Sequence, residues 1–407
     1  MLLFNNIIKA FYLSLFIEIV MWSKIFPYWF LILTIGFGWF ILAPLIPALE
    51  KIFNVPLSSV LFIISSYGYT MAILGLLAGF ISARFTVRMS LILSSVLSFI
   101  GLLGRALSIL NDNFGFFLLF AIIAALAYPL AVAPIGSIAE SLFKEKSQTI
   151  IGISVGLLFL GMSLGSFLGP SIYSFLGIFG TLMLTSILGL LAMLWTILGT
   201  KGYPIHYNRS LRGSFNVGMI KNWYVGLAIA SVSVMFGSVA STVLLLHKLI
   251  PILAISFGGF LGGLAFLGSA LGAILLPPLF ENNKRLGLIF TGLLSFISSA
   301  IMSLSLAFTV NFPLIALGYF LFGFFGNAYW SMSMNSTINY VSDPAKAGLA
   351  TSMYSVVTNI GVAIIPVFLG SLFGSTYTLV LGVIVVMIME LVAGLLSFTL
   401  KVNRISE

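Results

Sequence analysis

What most limits this chain is a series of charge-poor apolar runs, each close to the length that crosses a bilayer. Twelve can be read, near 29–49, 58–82, 89–110, 114–139, 149–173, 178–199, 223–246, 254–276, 286–308, 313–338, 347–373 and 377–400. A helix needs about 20 apolar residues to span the hydrocarbon core. The chain as a whole is 60% hydrophobic and only 7% charged, against about 25% charged in soluble domains. No soluble core hides that much apolar surface, so the solvent is lipid. Barrel strands would alternate polar and apolar residues in short segments. These runs are continuous, so the expected fold is an all-α integral membrane protein with twelve transmembrane helices.

Lysine and arginine orient the spans. With the N-terminus inside, the inner segments hold Lys9, Lys24, Arg84, Arg88, Lys144, Lys146, Lys201, Arg209, Arg212, Lys221, Lys284, Arg285, Lys346, Lys401 and Arg404. The outer loops hold Lys51 and Lys248. Fifteen against two also supports the count of spans, because a missed span would scramble the alternation. The expectation is a multi-pass protein of the cell membrane with both termini cytoplasmic. Its parts are an N-terminal segment at 1–28, a six-helix bundle at 29–200, a polar cytoplasmic linker at 201–222 and a second bundle with a short tail at 223–407. The N-terminal segment carries Lys9 and Glu18 and lacks a signal-peptide pattern. It reads as an interfacial helix, or as a mis-started leader if translation begins at Met21.

The net charge of +9 is scattered singly between spans, with no basic stripe, so nucleic acid is not an expected partner. There is no cysteine, and His206 and His247 have no metal-ligand spacing. No cofactor or metal is expected. No G-x-x-x-x-G-K-[ST] occurs, so ATP is not the expected energy source.

The chain also repeats itself. Gly152, Gly165 and Pro170 match Gly348, Gly361 and Pro366 at an offset of 196, which Arg88 and Lys284 share; Gly75 and Gly79 match Gly268 and Gly272 at 193. Six spans per copy put both copies in the membrane the same way up, as parallel pseudo-symmetric six-helix bundles. In lipid, small residues allow the close backbone approach that packs helices. Gly161, Gly165 and Gly169 share one face of span 5, and span 8 has its own pairs, Gly258/Gly262, Gly259/Gly263 and Gly268/Gly272. Smooth helix faces from opposite halves are expected to meet there and to rock.

Several motifs carry a family resemblance. GFISARFTVRMSL at 79–91 is similar to the G-x-L-A-D-R-x-G-R-K-x-x-L loop of the major facilitator superfamily, with Gly79, Arg84, Arg88 and Leu91 in place. Ala83 stands where that motif has Asp, and Thr86 where it has Gly. Span 5 resembles the family's antiporter motif G-x-x-x-G-P-x-x-G-G through Gly165, Gly169 and Pro170, with Tyr173 and Ser174 replacing the last glycines. PLIP at 44–47 and ESLFKEK at 140–146 are similar to segments of such proteins. The resemblance covers residues 29–400. It implies rocker-switch transport, with spans 1, 4, 7 and 10 lining a cavity, spans 2, 5, 8 and 11 forming the seam, and spans 3, 6, 9 and 12 facing outward. It implies a cytoplasmic clamp of Arg84, Arg88 and Glu140, copied by Lys284, Arg285 and Glu281, that weakens with the loss of the Asp at Ala83.

Two ionisable residues fall inside spans, where such groups invite a functional reading. Arg105 lies 17 residues beyond Arg88, about 25 Å at helical rise. It is expected to snorkel to the outer interface, near Asp112. Glu390 sits 11 residues before Lys401, about 16 Å deep. It is either a proton-coupling carboxyl or a neutral, hydrogen-bonded acid in the outer bundle. The polar candidates for solute binding are Tyr128, Asn327, Tyr329 and Trp330 on cavity spans, with Tyr67 and Asn359 on seam spans; Tyr128, Asn327 and Trp330 are expected on one central void. The serines of these spans read as interhelical hydrogen-bond donors. Pro44 and Pro47 in span 1, and Pro129 and Pro134 in span 4, are expected to kink their helices. Asp343 and Pro344 read as cap and first-turn proline of span 11.

Absences narrow the function. Spans 2, 5, 8 and 11 have no central Arg or Lys, which the resemblance associates with carriers of compact anions. Spans 1 and 4 have no acidic core residue of the kind found in proton-coupled sugar carriers and many drug antiporters. The expected activity is secondary transport of a small neutral or lipophilic solute, as an exporter or proton-coupled antiporter acting as a monomer in the lipid bilayer. Alternatives are uptake or facilitated diffusion of a neutral metabolite, and, from another class, a non-transporting receptor or a membrane enzyme. Short loops weigh against a receptor, and the lack of converging acids and histidines weighs against an enzyme.

Overall fold

The structure, a computed structural model, describes residues 22–203, 215–236, 251–308, 311–341, 343–373 and 376–403. Outside the described residues lie most of the N-terminal segment with Lys9, Glu18 and Met21, the linker positions Pro204, His206, Arg209 and Arg212, the span 7 positions Ser238, Ser241 and Thr242, then His247, Lys248 and Arg404, and the side chain of Pro366. Eleven described segments are long and apolar enough to cross a membrane. One of them contains the 53-residue helix Ser147–Gly199, which breaks at Gly177, φ +64°. Only glycine adopts that backbone at no steric cost, so the segment holds spans 5 and 6 and the total is twelve.

Span 1 begins at Phe26–Phe40 and then breaks into a 3-10 turn, Ala43–Leu45, and a short helix, Ile46–Phe53. Span 4 runs Phe114–Val132 and resumes as Ile135–Leu142 beyond Pro134. Both breaks lie at the prolines that prompted the expectation of kinks. Spans 2 and 3 are Leu57–Arg84 and Val87–Ile109. In the second half, span 7 is described over Ile220–Val234, and spans 8 to 12 are Pro251–Leu279, Lys284–Phe308, Phe312–Ile338, Pro344–Phe373 and Thr376–Leu396. Thr86, Asn113 and Asn311 cap the starts of spans 3, 4 and 10 by accepting backbone N–H bonds, which satisfies donors a helix start leaves free. Before span 11 the Asp343 carbonyl accepts from the amides of Lys346 and Ala347.

Each half closes on itself. Span 3 packs on span 4, where the Ser90 and Ser94 hydroxyls donate to the Leu130 and Ala127 carbonyls, each at 2.7 Å. Spans 9 and 10 pack similarly in the other half. Most other intramembrane hydroxyls bond the carbonyl three or four residues back, as at Ser154, Ser186, Ser231 and Ser298. The serines are expected to donate between helices; most instead donate within their own helix, Ser231 and Ser331 among them. Between the halves, span 2 meets span 11 and span 5 meets span 8.

The glycines are divided differently from the expectation. Gly161, Gly165 and Gly169 do not face the other half. They press on span 1 of their own bundle, where a Cβ at Gly165 would lie 2.7 Å from the Ile41 nitrogen. Their repeat partner Gly361 presses on Leu227 and Ser231 of span 7 in the same way. Pro170, at the exposed end of span 5, follows this stripe. Gly268 and Gly272 pack on the backbone of span 10, again within one half. The glycines of span 5 that meet the opposite half are Gly152 and Gly156, against Ala273, Pro277, Ala270 and Ile274 of span 8. From Gly156 to Gly161 is five residues, which turns a helix face by about 140°. Span 5 therefore carries two glycine faces, one permanent and one at the seam.

Candidate functional site: the seam between the halves

At the lysine- and arginine-rich end the seam is closed by polar contacts from the first turn of span 5. The Ser147 hydroxyl lies 3.3 Å from Asn335 Oδ1, Gln148 Nε2 donates to the Pro277 carbonyl at 2.9 Å, and Thr149 donates twice to Glu281 Oε2, from its amide at 2.7 Å and its hydroxyl at 2.6 Å. A helix start has free N–H groups and a partial positive charge, so a carboxylate is well placed there. Lys284 pairs with Glu281 at 3.0 Å. At the matching junction of span 11 the Gly348 amide donates to the Ser137 hydroxyl at 3.1 Å. Gly136 lets span 4 approach the Ala347 carbonyl, and Gly79 and Gly75 let span 2 approach Ser352 and Val356. The Ser352 hydroxyl donates to the Gly75 carbonyl. A cavity of about 520 Å³ sits at this end, lined by Glu140, Lys144, Ser147, Glu281, Lys284 and Asn339 among others.

The expected arginine clamp is not what closes the seam. Arg84 is exposed and lies over the Phe80 ring, and Arg88 donates to the Ile197 carbonyl at 3.3 Å, near the end of span 6. Arg285 does the same for span 12 through the Phe398 carbonyl at 2.9 Å. Cations at helix C-termini offset the helix dipole, so these residues brace their own halves. Ala83, where the motif has Asp, is buried and offers no acceptor. A carboxylate of the second copy, Glu281, reaches across the seam to the first turn of span 5. Just beyond span 6, the Tyr203 phenol donates to the Lys24 carbonyl at 2.9 Å, and burial raises its pKa.

Deeper in the membrane, spans 1, 2, 4 and 11 bring four side chains together. Trp39 stacks on Tyr67, centroids 4.5 Å apart and nearly parallel, and touches Tyr128 at 5.3 Å. Asn359 of the other half donates to the Ser355 carbonyl of its own helix at 2.9 Å, and its Oδ1 lies beside Gly68 of span 2, within interaction range of Tyr128. The Trp39 indole N–H is fixed by the Ile64 carbonyl at 2.8 Å. Phe266 of span 8 packs on Phe40 at 4.6 Å. Three of the six predicted binding residues, Tyr67, Tyr128 and Asn359, thus form one aromatic cluster astride the seam.

The span 10 candidates lie elsewhere. Asn327 donates to Ser269 of span 8 at 2.8 Å and contacts Ser233 of span 7 at 3.4 Å. Tyr329 turns away from the seam and donates to the Ala393 carbonyl of span 12 at 2.7 Å. Trp330 packs edge-on against Tyr354, and its indole N–H is buried without a partner. One helix face cannot carry residues 327, 329 and 330, because consecutive positions turn by about 100°.

Both intramembrane ionisable residues are fully buried. Glu390 accepts from Ser295 at 3.2 Å through Oε2, while Oε1 has no partner. Arg105 does not snorkel. Its Nη2 donates to the Gly38 carbonyl of span 1 at 2.9 Å. Helical side chains point back toward the helix N-terminus. Span 3 ascends from the basic end, so Arg105 is aimed into the membrane and away from Asp112.

Residues 28–246 match the sequence model of the Major Facilitator Superfamily. The chain belongs to the Major Facilitator Superfamily. Solved structures of the same fold include a bacterial homologue of the iron transporter ferroportin in an outward-facing state, with TM-score 0.72 and 16% identity over 93% of this chain and 98% of that one. The proton:xylose symporter XylE, bound to 6-bromo-6-deoxy-D-glucose, has TM-score 0.69 and 15% identity over 92% and 94% of the two chains. The human organic anion transporter MFSD10 has TM-score 0.69 and 14% identity over 93% and 99%. At such identities the likeness concerns the fold. No curated protein matches by sequence.

As a superfamily member the protein is a multi-pass membrane transporter. Its seam includes residues that reading the sequence passed over. Trp39 has a nearly uncharged span around it and no motif to mark it. Ser147, Gln148 and Thr149 were legible as a polar first turn directly after the KEK at 144–146.

Proposed function

We propose that the protein is a secondary transporter that moves a small, largely apolar solute between its two halves by alternating access. The observation that carries this reading is the aromatic cluster of Trp39, Tyr67 and Tyr128 meeting Asn359 across the seam, with a polar latch at one end that separation would release. Flat aromatic faces with a few polar tips suit an amphipathic ligand. The expectation of a neutral solute came from the lack of central charge in spans 1, 2, 4, 5, 8 and 11; the buried Arg105 of span 3 adds a cation that this argument did not count. The distribution of positive residues supports a cytoplasmic side for the latched end and both termini, and a cell membrane as the location. The latch then belongs to a state closed toward the cytoplasm. Export is the direction favoured by the partial antiporter motif of span 5. Protons are the proposed coupling ion, with Glu390 as the carrier group, since it is a membrane-buried carboxyl with one oxygen unpartnered.

The test is reconstitution in liposomes with a panel of small amphipathic solutes, with and without a pH gradient. Gradient-driven accumulation supports coupled transport; equilibration alone favours facilitated diffusion. The chain has no cysteine, so single substitutions report access cleanly. Ala273→Cys at the latched end and Val362→Cys opposite Gly68 are expected to label from opposite sides of the membrane. No flux, together with labelling of both sites from the same side, would overturn the proposal.

A further inference from the structure

Arg105 is built into the first half in a way that packing does not explain. The side chain is fully buried. Its guanidinium has five N–H donors, yet only Nη2 has a partner, the Gly38 carbonyl, while Nε and Nη1 have none. No carboxylate among the described residues pairs with it; of the acids at the same membrane end, Glu50 is partly buried and Asp112 exposed. A buried cation without a partner is costly, and breaking or omitting one member of a buried pair is among the most destabilising arrangements known. Room has been left for it. A Cβ at Gly38 would stand 2.9 Å from Leu102 and 3.8 Å from the Arg105 head. Tyr67 of span 2 lies within electrostatic reach of Arg105. Tyr67 in turn stacks on Trp39 and touches Tyr128. Gly38, whose carbonyl holds the Arg105 head, directly precedes Trp39, so the unpartnered cation is bonded to the backbone that carries the aromatic cluster of the proposed pathway.

We infer that Arg105 is the anchor for an anionic group that enters through the Trp39–Tyr67–Tyr128 cluster and takes the free guanidinium donors. The inference rests on the cluster being the solute site, and it refines the class: an apolar body with one acidic group, or else a small inorganic anion bound alongside. Both present the same chemistry to the arginine, a compact negative acceptor in a low-dielectric surrounding where charge-assisted hydrogen bonds are strong. The Trp39–Tyr67 stack covers the site in this structure, and the anion displaces the phenol to reach it.

The experiment is thermal unfolding of the purified full-length protein in detergent, titrated with sodium benzoate, sodium chloride or neutral benzamide against sodium gluconate. Saturable protection by benzoate and none by benzamide supports an acidic solute group at this site. Protection by chloride alone supports an inorganic anion on Arg105. In Arg105→Met the half-saturating concentration rises about 10- to 100-fold, the range set by losing a hydrogen bond to a charged group. Arg105→Lys keeps the charge and part of the protection. The ligand-free Met variant is expected to unfold at the same temperature as the unsubstituted protein or higher, because an isolated buried cation is gone; a lower temperature marks Arg105 as a structural brace and counts against the inference. Protection that survives in Arg105→Met, or absence of saturable protection by either anion, overturns it. Neither result touches the labelling and flux that test alternating access.

Discussion

The backbone amide of Thr149, in the first turn of span 5, donates to Glu281 Oε2, beyond span 8, at 2.7 Å. One half thereby supplies the cap for a helix of the other. The contact combines a charge-assisted bond with the positive end of a helix dipole. Opening the seam at this end leaves the amide to water and the carboxylate to Lys284 alone. Glu281→Ala is expected to raise the rate of maleimide labelling at Ala273→Cys about 10-fold or more, from the loss of a charged hydrogen bond. Equal rates in the two backgrounds show that the bond does not hold the seam.

Two glycine faces on one helix predict two different failures. Gly156→Leu inserts a side chain where a Cβ already lies 2.8 Å from the Ala270 carbonyl of the other half. Yield and unfolding temperature are expected to hold, while the latched end becomes labelled quickly and transport falls at least about 10-fold. Gly161→Leu instead collides with the span 1 backbone inside one bundle, so it is expected to lower stability by about 1–3 kcal/mol through overpacking. Thermal unfolding and labelling, measured on both variants, separate the cases. Identical behaviour refutes the division.

Tyr128 and Asn359 lie within interaction range of each other across the halves, Asn359 Oδ1 standing beside Gly68 of span 2. A double-mutant cycle of Tyr128→Phe and Asn359→Ala, followed by thermal unfolding, is expected to give a coupling of about 0.5–1.5 kcal/mol. The same cycle measured on solute KM is expected to show coupling too, since both groups face the proposed pathway. Strict additivity in stability says the pair is not bonded in the resting state.

Glu390 has one oxygen on Ser295 and one without a partner. Glu390→Gln keeps the shape and the acceptor for Ser295. It is expected to abolish accumulation driven by a pH gradient while leaving downhill solute equilibration within about 3-fold, since only the coupling step is removed. Undiminished accumulation assigns the carboxyl a purely structural place between spans 9 and 12.

Much of the architecture was legible in the order of residues. Span number and the internal repeat follow from apolar runs, charge alternation and equal offsets, because lipid forbids unpaired backbone and so leaves few choices. Prolines marked the breaks in spans 1 and 4, whereas Gly177 was identified as the turn between spans 5 and 6 only by the structure. Three of the four side chains of the seam cluster were also visible, as Tyr67, Tyr128 and Asn359. The error on Arg105 came from treating depth as a distance along an axis and omitting side-chain direction.

By itself the sequence determined that this is a twelve-span, duplicated helical membrane protein, since hydrophobic length and helical rise are properties of the chain alone. Which glycine face meets which neighbour, that Glu281 rather than an arginine closes the seam, and that Arg105 points inward were decided only by tertiary structure. Helix rotation and the partners across a gap depend on how all twelve rods pack at once, and a periodic apolar pattern surrounded by lipid specifies no single face.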